Sequence, residues 1–132
     1  MIEFRGGVQF KQDEKGEWRW EAYSVERDPN ADYEACVTTI EIRSSEGYVE
    51  ERDCKQGAFV TLQMLLRPVM GEGIPMRRME SDEGMLFTIL ATNGEELAVQ
   101  GPVGGFQTRA RANEALDRGT LALLLAQFAG EF

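Results

Sequence analysis

Hydrophobic and polar residues alternate in three short stretches of the first third of the chain, at residues 8–12, 18–23 and 37–43. Alternation with a period of two predicts strands that bury one face. The third stretch is also rich in β-branched residues, which favour strands. We therefore predict three successive strands, with a long polar connection at residues 24–36 between the second and the third.

A helical pattern follows near Asp53, where apolar residues recur every three or four positions. These residues are Ala58, Phe59, Leu62, Leu65 and Leu66. Pro68 ends the predicted helix, because proline cannot continue its backbone hydrogen bonding. Residues 68–75 include two glycines and form the joint to the second part of the chain.

The second part repeats this order of elements. Residues 76–80 form a predicted strand that is either the exchanged last strand of the first part or the lead-in to the second. Residues 87–92 are β-prone, and Asn93-Gly94 predicts a tight hairpin turn in which both residues can adopt positive φ. Thr108 is placed to cap a helix by accepting a backbone N–H bond, and that helix runs to about Phe128.

An imperfect internal repeat links the two parts. With Trp20 laid on Phe87, the pair Gly47-Tyr48 falls on Gly105-Phe106. The spacing differs, because the first copy carries a long polar connection where the second has the Asn-Gly turn.

Four runs of sequence carry a resemblance to a known family. Gly-Glu-Trp-Arg-Trp (16–20) and Ser-Ser-Glu-Gly-Tyr (44–48) in the first copy, with Phe-x-Ile-x-Ala-x-Asn-Gly-Glu (87–95) and Gly-Phe-x-Thr-Arg-Ala (105–110) in the second, resemble the YegP-like family, or DUF1508 domain. The resemblance implies an α+β fold of tandem β-β-β-α(-β) units that share one antiparallel sheet. Both helices would pack on one face of this pseudo-dimer, with the last strands exchanged. The resemblance implies no reaction.

Length favours a single domain. Two independent units of about 60 residues would each bury too little surface to be stable alone, and the chain has 132 residues. We predict one fused domain over residues 1–132, with repeat one at about 4–74 and repeat two at about 75–132.

The chain is strongly acidic, with a formal net charge of −9 from 23 acidic and 14 basic residues. This charge repels phosphate backbones and anionic membrane surfaces, so we predict neither nucleic acid nor membrane as a partner. The acidic residues are spread along the chain rather than gathered in one run, which favours a role in solubility.

Location is predicted from the segments that the sequence lacks. No apolar run approaches the roughly 18 residues needed to span a bilayer, and residues 1–4 show no basic and apolar leader. We expect a cytoplasmic protein in which Cys36 and Cys54 are reduced, because two cysteines without a leader seldom form a disulfide.

The sequence contains few candidate catalytic residues. The chain contains no histidine, and no phosphate loop, dinucleotide fingerprint or metal-ligand spacing is present, so we predict neither an enzyme nor a cofactor. Cys54 falls in the first turn of the predicted helix, where the helix dipole can activate a thiol. Acidic neighbours oppose that activation, which favours a structural cysteine. Asp82 and Glu83 are adjacent and are interpreted as solvated turn residues.

A calcium loop is also considered and set aside. Asp28, Asn30 and Asp32 have the spacing that opens such a loop. Tyr33 stands where the loop needs glycine, and Thr39 stands where it needs a bidentate glutamate. We therefore predict no metal site.

The last predicted helix turns almost wholly apolar at residues 121–126 and must be buried on more than one side. We therefore predict a non-catalytic interaction module that binds a protein partner or a second copy of itself. The predicted interaction surface comprises Trp18, Trp20, Phe106, Leu121, Leu124, Leu125 and Phe128.

Two alternatives remain open at this point. The aromatic residues Trp18, Trp20 and Phe106 would bind a small molecule by stacking, although filling the core is the commoner use of buried tryptophan. The acidic surface would alternatively inhibit a protein that binds nucleic acid. Sequence alone does not separate these alternatives.

Overall fold

Six strands and two helices form the part of the chain that the structure, a computed structural model, describes: residues 4–27, 36–82 and 84–132. They are β1 (Gly6–Gln12), β2 (Trp18–Arg27), β3 (Cys36–Ser44), α1 (Glu51–Leu65), β4 (Met76–Ser81), β5 (Gly84–Leu90), β6 (Glu96–Gln100) and α2 (Arg109–Phe128). A short 3₁₀ helix, Arg67–Met70, follows α1.

The strands form one antiparallel sheet in the order β1-β2-β3-β6-β5-β4. The prediction of an α+β fold with one antiparallel sheet and two helices is confirmed. β4 pairs with β5 and forms an edge of the sheet. It does not pair with any of the first three strands.

The core lies between the sheet and the two helices, which also contact each other. On β2, Trp20, Ala22 and Ser24 are buried, whereas Arg19 and Glu21 on the other face are partly exposed. This alternation is the one that the sequence pattern predicts for a sheet covered on one face.

The helix α2 follows β6 in sequence but packs mainly over β1, β2 and β3. Gly119 makes this packing close, because a Cβ at this position would overlap Ile42 Cδ1. The glycine costs about 1 kcal/mol of helix propensity, and the space it leaves is filled by a fully buried isoleucine. Its role is to let α2 approach β3 closely.

Two β-bulges lie at corresponding places in the sheet. Between β2 and β3 the register shifts so that Glu41 is the extra residue, and between β5 and β6 the extra residue is Leu97. Both of these side chains are buried. A bulge turns an additional side chain toward one face, so each half of the sheet gains one inward residue.

Each helix is preceded by a corner that is tied to the sheet through the backbone. Trp18 and Tyr48 exchange two backbone hydrogen bonds of 2.6 and 2.8 Å before α1. Met85 and Phe106 exchange two of 2.6 and 3.0 Å before α2. Tyr48 and Phe106, which the repeat alignment matches, therefore make the same kind of backbone bridge to the sheet.

The start of α1 and the type of the β5–β6 turn differ from the predictions. α1 begins at Glu51 rather than near Asp53, because the extended Glu50 already occupies the N-cap position. In the β5–β6 turn, Gly94 has a φ of 89° but Asn93 does not have positive φ. The loop closes between Ala91 and Glu95, which is a longer turn than the two-residue form that we predicted.

Candidate interaction surfaces

The C-terminal half of α2 presents an apolar flank to solvent. Leu121, Leu125 and Phe128 are 44%, 45% and 85% exposed, and their spacing puts them on one side of the helix. Leu124 beside them is half-buried. We call Leu121, Leu125 and Phe128 the α2 flank. The described chain does not bury this flank, so the predicted burial of the helix on more than one side would require a second chain or another protein.

The opposite side of α2 holds the helix in place. Ala122, Leu123 and Ala126 are buried against the sheet, and Thr108 caps the helix by accepting a 3.1 Å hydrogen bond from the backbone N–H of Arg111, as predicted. Arg118 forms ion pairs with Glu26 and Glu114. These contacts fix the rotation of α2, so the outward position of the flank follows from the fold.

The predicted aromatic surface lies largely in the core. Trp20 is fully buried and Phe106 is nearly so, while Trp18 is partly buried. Phe106 stacks on Phe87, with ring centroids 6.3 Å apart. The structure therefore does not bring the three rings to one accessible face, because the helices cover the face on which the aromatic residues lie.

A buried ion pair was missed by the sequence analysis. Arg111 Nη1 donates to Glu41 Oε2 at 2.9 Å, and Ser24 Oγ donates to Glu41 Oε1 at 3.2 Å. The hydrogen bond that Arg111 donates to the Glu41 carboxylate raises the pKa of Arg111. Strict alternation between Ile40 and Ile42 would send Glu41 to the open face, and the bulge turns it inward instead.

Cys54 has the properties of a structural cysteine. The side chain is fully buried. Burial raises the pKa of the Cys54 thiol to about 11, and the nearby carboxylate of Glu51 adds to this rise. At neutral pH the thiol therefore stays protonated and is a poor nucleophile. The helix dipole does not overcome these two effects.

A cavity of about 270 Å³ lies between β4, β5 and the start of α2. Apolar side chains from Met85, Phe87 and Ala112 contribute to its wall, and Arg78 and Arg109 stand beside them. Arg78 Nη1 donates to Asn113 Oδ1 at 2.7 Å, and Arg109 forms an ion pair with Glu80. Both arginines are thus held by partners within the chain.

Neither a metal cluster nor a membrane span is found in residues 4–27, 36–82 and 84–132. No group of three or more histidine, cysteine, aspartate or glutamate side chains in these ranges could hold a metal ion. None of the helices in these ranges combines the length and the hydrophobicity that a membrane-spanning helix needs. Asp28, Asn30 and Asp32, the considered calcium ligands, lie outside the described residues.

The fold resembles that of YegP from E. coli. This solved structure, described as a protein of unknown function, has a TM-score of 0.62 and 10% sequence identity over 93% of this chain and 90% of YegP. The UPF0339 protein SO3888 from Shewanella oneidensis has a TM-score of 0.53 and 11% identity over 89% of this chain and 84% of its own. At these identities the likeness shows a shared fold.

Comparison by sequence adds no relative. No family model matches the chain, and no curated protein matches it.

Proposed function

We propose that this chain is a non-catalytic protein-interaction module and that the α2 flank binds the partner. The observation that carries the proposal is the exposure of Leu121, Leu125 and Phe128 on one side of a helix whose rotation is fixed. Aligned apolar side chains of this size are typical of helix-in-groove recognition. Apolar residues that form such a stripe favour a binding role more than scattered ones do.

Charge near the flank defines the chemistry of the partner. Asp117 lies one helical turn before Leu121, and Glu131 follows the end of α2; both are exposed. The chain as a whole carries a net charge of −9. We therefore propose a partner that offers an apolar stripe or groove bordered by lysine or arginine.

The internal repeat and the family are part of the same proposal. We infer that residues of about 4–74 and 75–132 are two copies of one unit within a single domain, and that the chain is a YegP-like protein. The matching bulges at Glu41 and Leu97 support this inference, as do the matching corners at Tyr48 and Phe106. A reducing, cytoplasmic location is also proposed, since Cys36 and Cys54 are both free thiols.

A capture experiment with matched variants tests the proposed surface. The flank variant carries Leu125→Ser and Phe128→Ser, and the control carries Val69→Ser and Val103→Ser, which replace two strongly exposed valines outside α2. All four side chains are exposed, so both variants should fold. We expect a protein that wild type and control retain and the flank variant loses. Equal retention by all three proteins would contradict the proposed surface.

The same experiment at two salt concentrations addresses the acidic-inhibitor alternative. An interaction dominated by surface charge weakens strongly as salt rises, because mobile ions screen exposed charges. Binding through the apolar flank should instead survive moderate salt. Loss of the partner at moderate salt from wild type and both variants alike would favour the electrostatic alternative.

A further inference from the structure

β4 is an exposed edge strand. It lies at the end of the sheet beyond β5, and residues 77–81 are all exposed. Met79 alone is 62% exposed. In the described sheet no strand covers its outer side. An edge of this kind presents backbone N–H and C=O groups to which another strand can pair.

The hydrogen bonding of β5 shows which backbone groups of β4 point outward. Leu90 donates its N–H to the carbonyl of Pro75 at 2.8 Å, so residue 75 faces β5. Phe87 donates its N–H in the other direction, to Gln100 Oε1 at 2.9 Å. Antiparallel pairs alternate in this way along a strand. Arg78, the partner of Phe87, therefore directs its N–H and C=O away from the sheet.

Alternation then assigns the rest of the strand. Met76 and Glu80 each lie two residues from Arg78, so they also direct their backbone N–H and C=O groups outward. The backbone groups of Arg77 and Met79 point toward β5 instead. A second strand added at this edge must pair with the outward set. This condition limits how two copies of β4 can align.

Charge selects one alignment when β4 meets a second β4 antiparallel about a two-fold axis. An axis at Arg78 opposes arginine to arginine, and an axis at Glu80 opposes glutamate to glutamate, both of which are unfavourable. An axis at Arg77 opposes Met76 to Arg78 and gains no charge pair. An axis at Met79 opposes Arg78 of each copy to Glu80 of the other, which gives two attractive pairs.

We propose that β4 pairs with β4 of a second copy of this chain about a two-fold axis at Met79. Arg78 and Glu80 form the outer hydrogen-bonded pairs, and the two Met79 side chains meet at the axis. The pairing joins two six-stranded sheets into one continuous sheet. A closed pair follows, because the interface uses the same surface on both copies.

Contacts within one copy leave the charged groups able to make these pairs. Arg78 gives one N–H to Asn113, and a guanidinium has five donors. Glu80 accepts a hydrogen bond from Arg109 through one carboxylate oxygen, and a carboxylate has a second oxygen that can accept another. Both side chains are exposed, so the new pairs form at a solvated edge.

The opposite edge of the sheet lacks this complementarity. Phe10 occupies the position on β1 that Arg78 occupies on β4. Phe10 pairs with Trp20 of β2, and Arg78 pairs with Phe87 of β5. The ring of Phe10 packs edge-on against Phe132 at 6.0 Å and lies beneath Lys55. An aromatic residue that is already packed offers no charge pair to β4 of another copy, so pairing of β4 with itself is favoured over a β1–β4 chain of molecules.

A mixing experiment with charge reversals tests the alignment. Arg78→Glu alone opposes glutamate to glutamate, and Glu80→Arg alone opposes arginine to arginine. We expect each variant to dimerise at least about tenfold more weakly than wild type in sedimentation equilibrium. Mixing the two variants restores complementary pairs and should restore the dimer. A wild type that stays monomeric across the concentration series, or a mixture no stronger than its folded components, would overturn the proposal.

Cross-linking tests the position of the axis. Residues facing each other in a non-hydrogen-bonded antiparallel pair are close enough for a disulfide. In a Cys36→Ser background, Met79→Cys should form a disulfide-linked dimer on mild oxidation. Lys11→Cys, at the corresponding position of β1, is the control and should remain monomeric. Equal cross-linking of the two variants, or none with Met79→Cys, would contradict the alignment.

Discussion

The two halves of the sheet have the same order of elements but use their outer strands differently. On β1, Phe10 packs against Phe132 and beneath Lys55. On β4 the corresponding Arg78 is exposed and bonds to Asn113 beside a cavity of about 270 Å³. The first half thus uses this position for packing, and the second leaves it as polar surface. The comparison shows that one strand arrangement tolerates both uses.

The bulged residues give a second contrast between the halves. Both bulges turn a side chain into the core, but that side chain is Glu41 in the first half and Leu97 in the second. Glu41 requires Arg111 and Ser24 as partners, whereas leucine requires only apolar neighbours. The bulge fixes the direction of the side chain and leaves its chemistry to the sequence.

The largest expected effect comes from breaking the buried ion pair. Arg111→Ala leaves the buried Glu41 carboxylate without its cation and should lower the free energy of unfolding by about 3 kcal/mol, measured by urea denaturation. Replacing both residues, with Glu41→Leu and Arg111→Met, imitates the second half and should recover most of the loss. Arg109→Ala, which removes an exposed pair, is the control and should cost under about 1 kcal/mol. A double variant no more stable than Arg111→Ala would contradict the comparison.

A smaller effect is expected where α2 crosses β3. Gly119→Val places a branched side chain against Ile42 and should cost about 2 kcal/mol through overpacking. Ile42→Ala makes the site resemble the second half, where Ala98 follows the bulged residue. Thermal unfolding of both single variants and the double variant measures the coupling. If the two losses simply add, Ile42 does not set the space available at Gly119.

The smallest expected effect is on protein stability at alkaline pH, and it arises because the corner before α1 contains Tyr48 where the corner before α2 contains Phe106. Burial, followed by the charge of Glu46, raises the pKa of Tyr48 from its ordinary 10.0 to about 12. The folded state then holds a proton that the unfolded state releases, so stability is complete below pH 10 and falls as pH rises toward 12. Tyr48→Phe, which introduces the residue found at Phe106, should reduce the loss of stability as pH rises. An unchanged slope of stability between pH 10 and 12 in the variant would contradict the assignment.

Local patterns predicted the elements, and long-range packing decided the rest. Alternation located β1–β3, helical spacing located α1, and Thr108 located the start of α2. The bulge at Glu41 has no local signal, since a residue between Ile40 and Ile42 is expected on the open face. The exposure of Leu125 was equally hidden, because only the placement of α2 over β1–β3 decides which leucines face solvent.

We propose above all that the α2 flank binds a protein. Calorimetric titration of the purified captured partner into wild type, the Val69→Ser and Val103→Ser control, and the Leu125→Ser and Phe128→Ser variant tests it most directly. We predict equal affinity for wild type and control and at least a tenfold loss for the flank variant, about 1.4 kcal/mol. A folded flank variant that binds with wild-type affinity would contradict the claim.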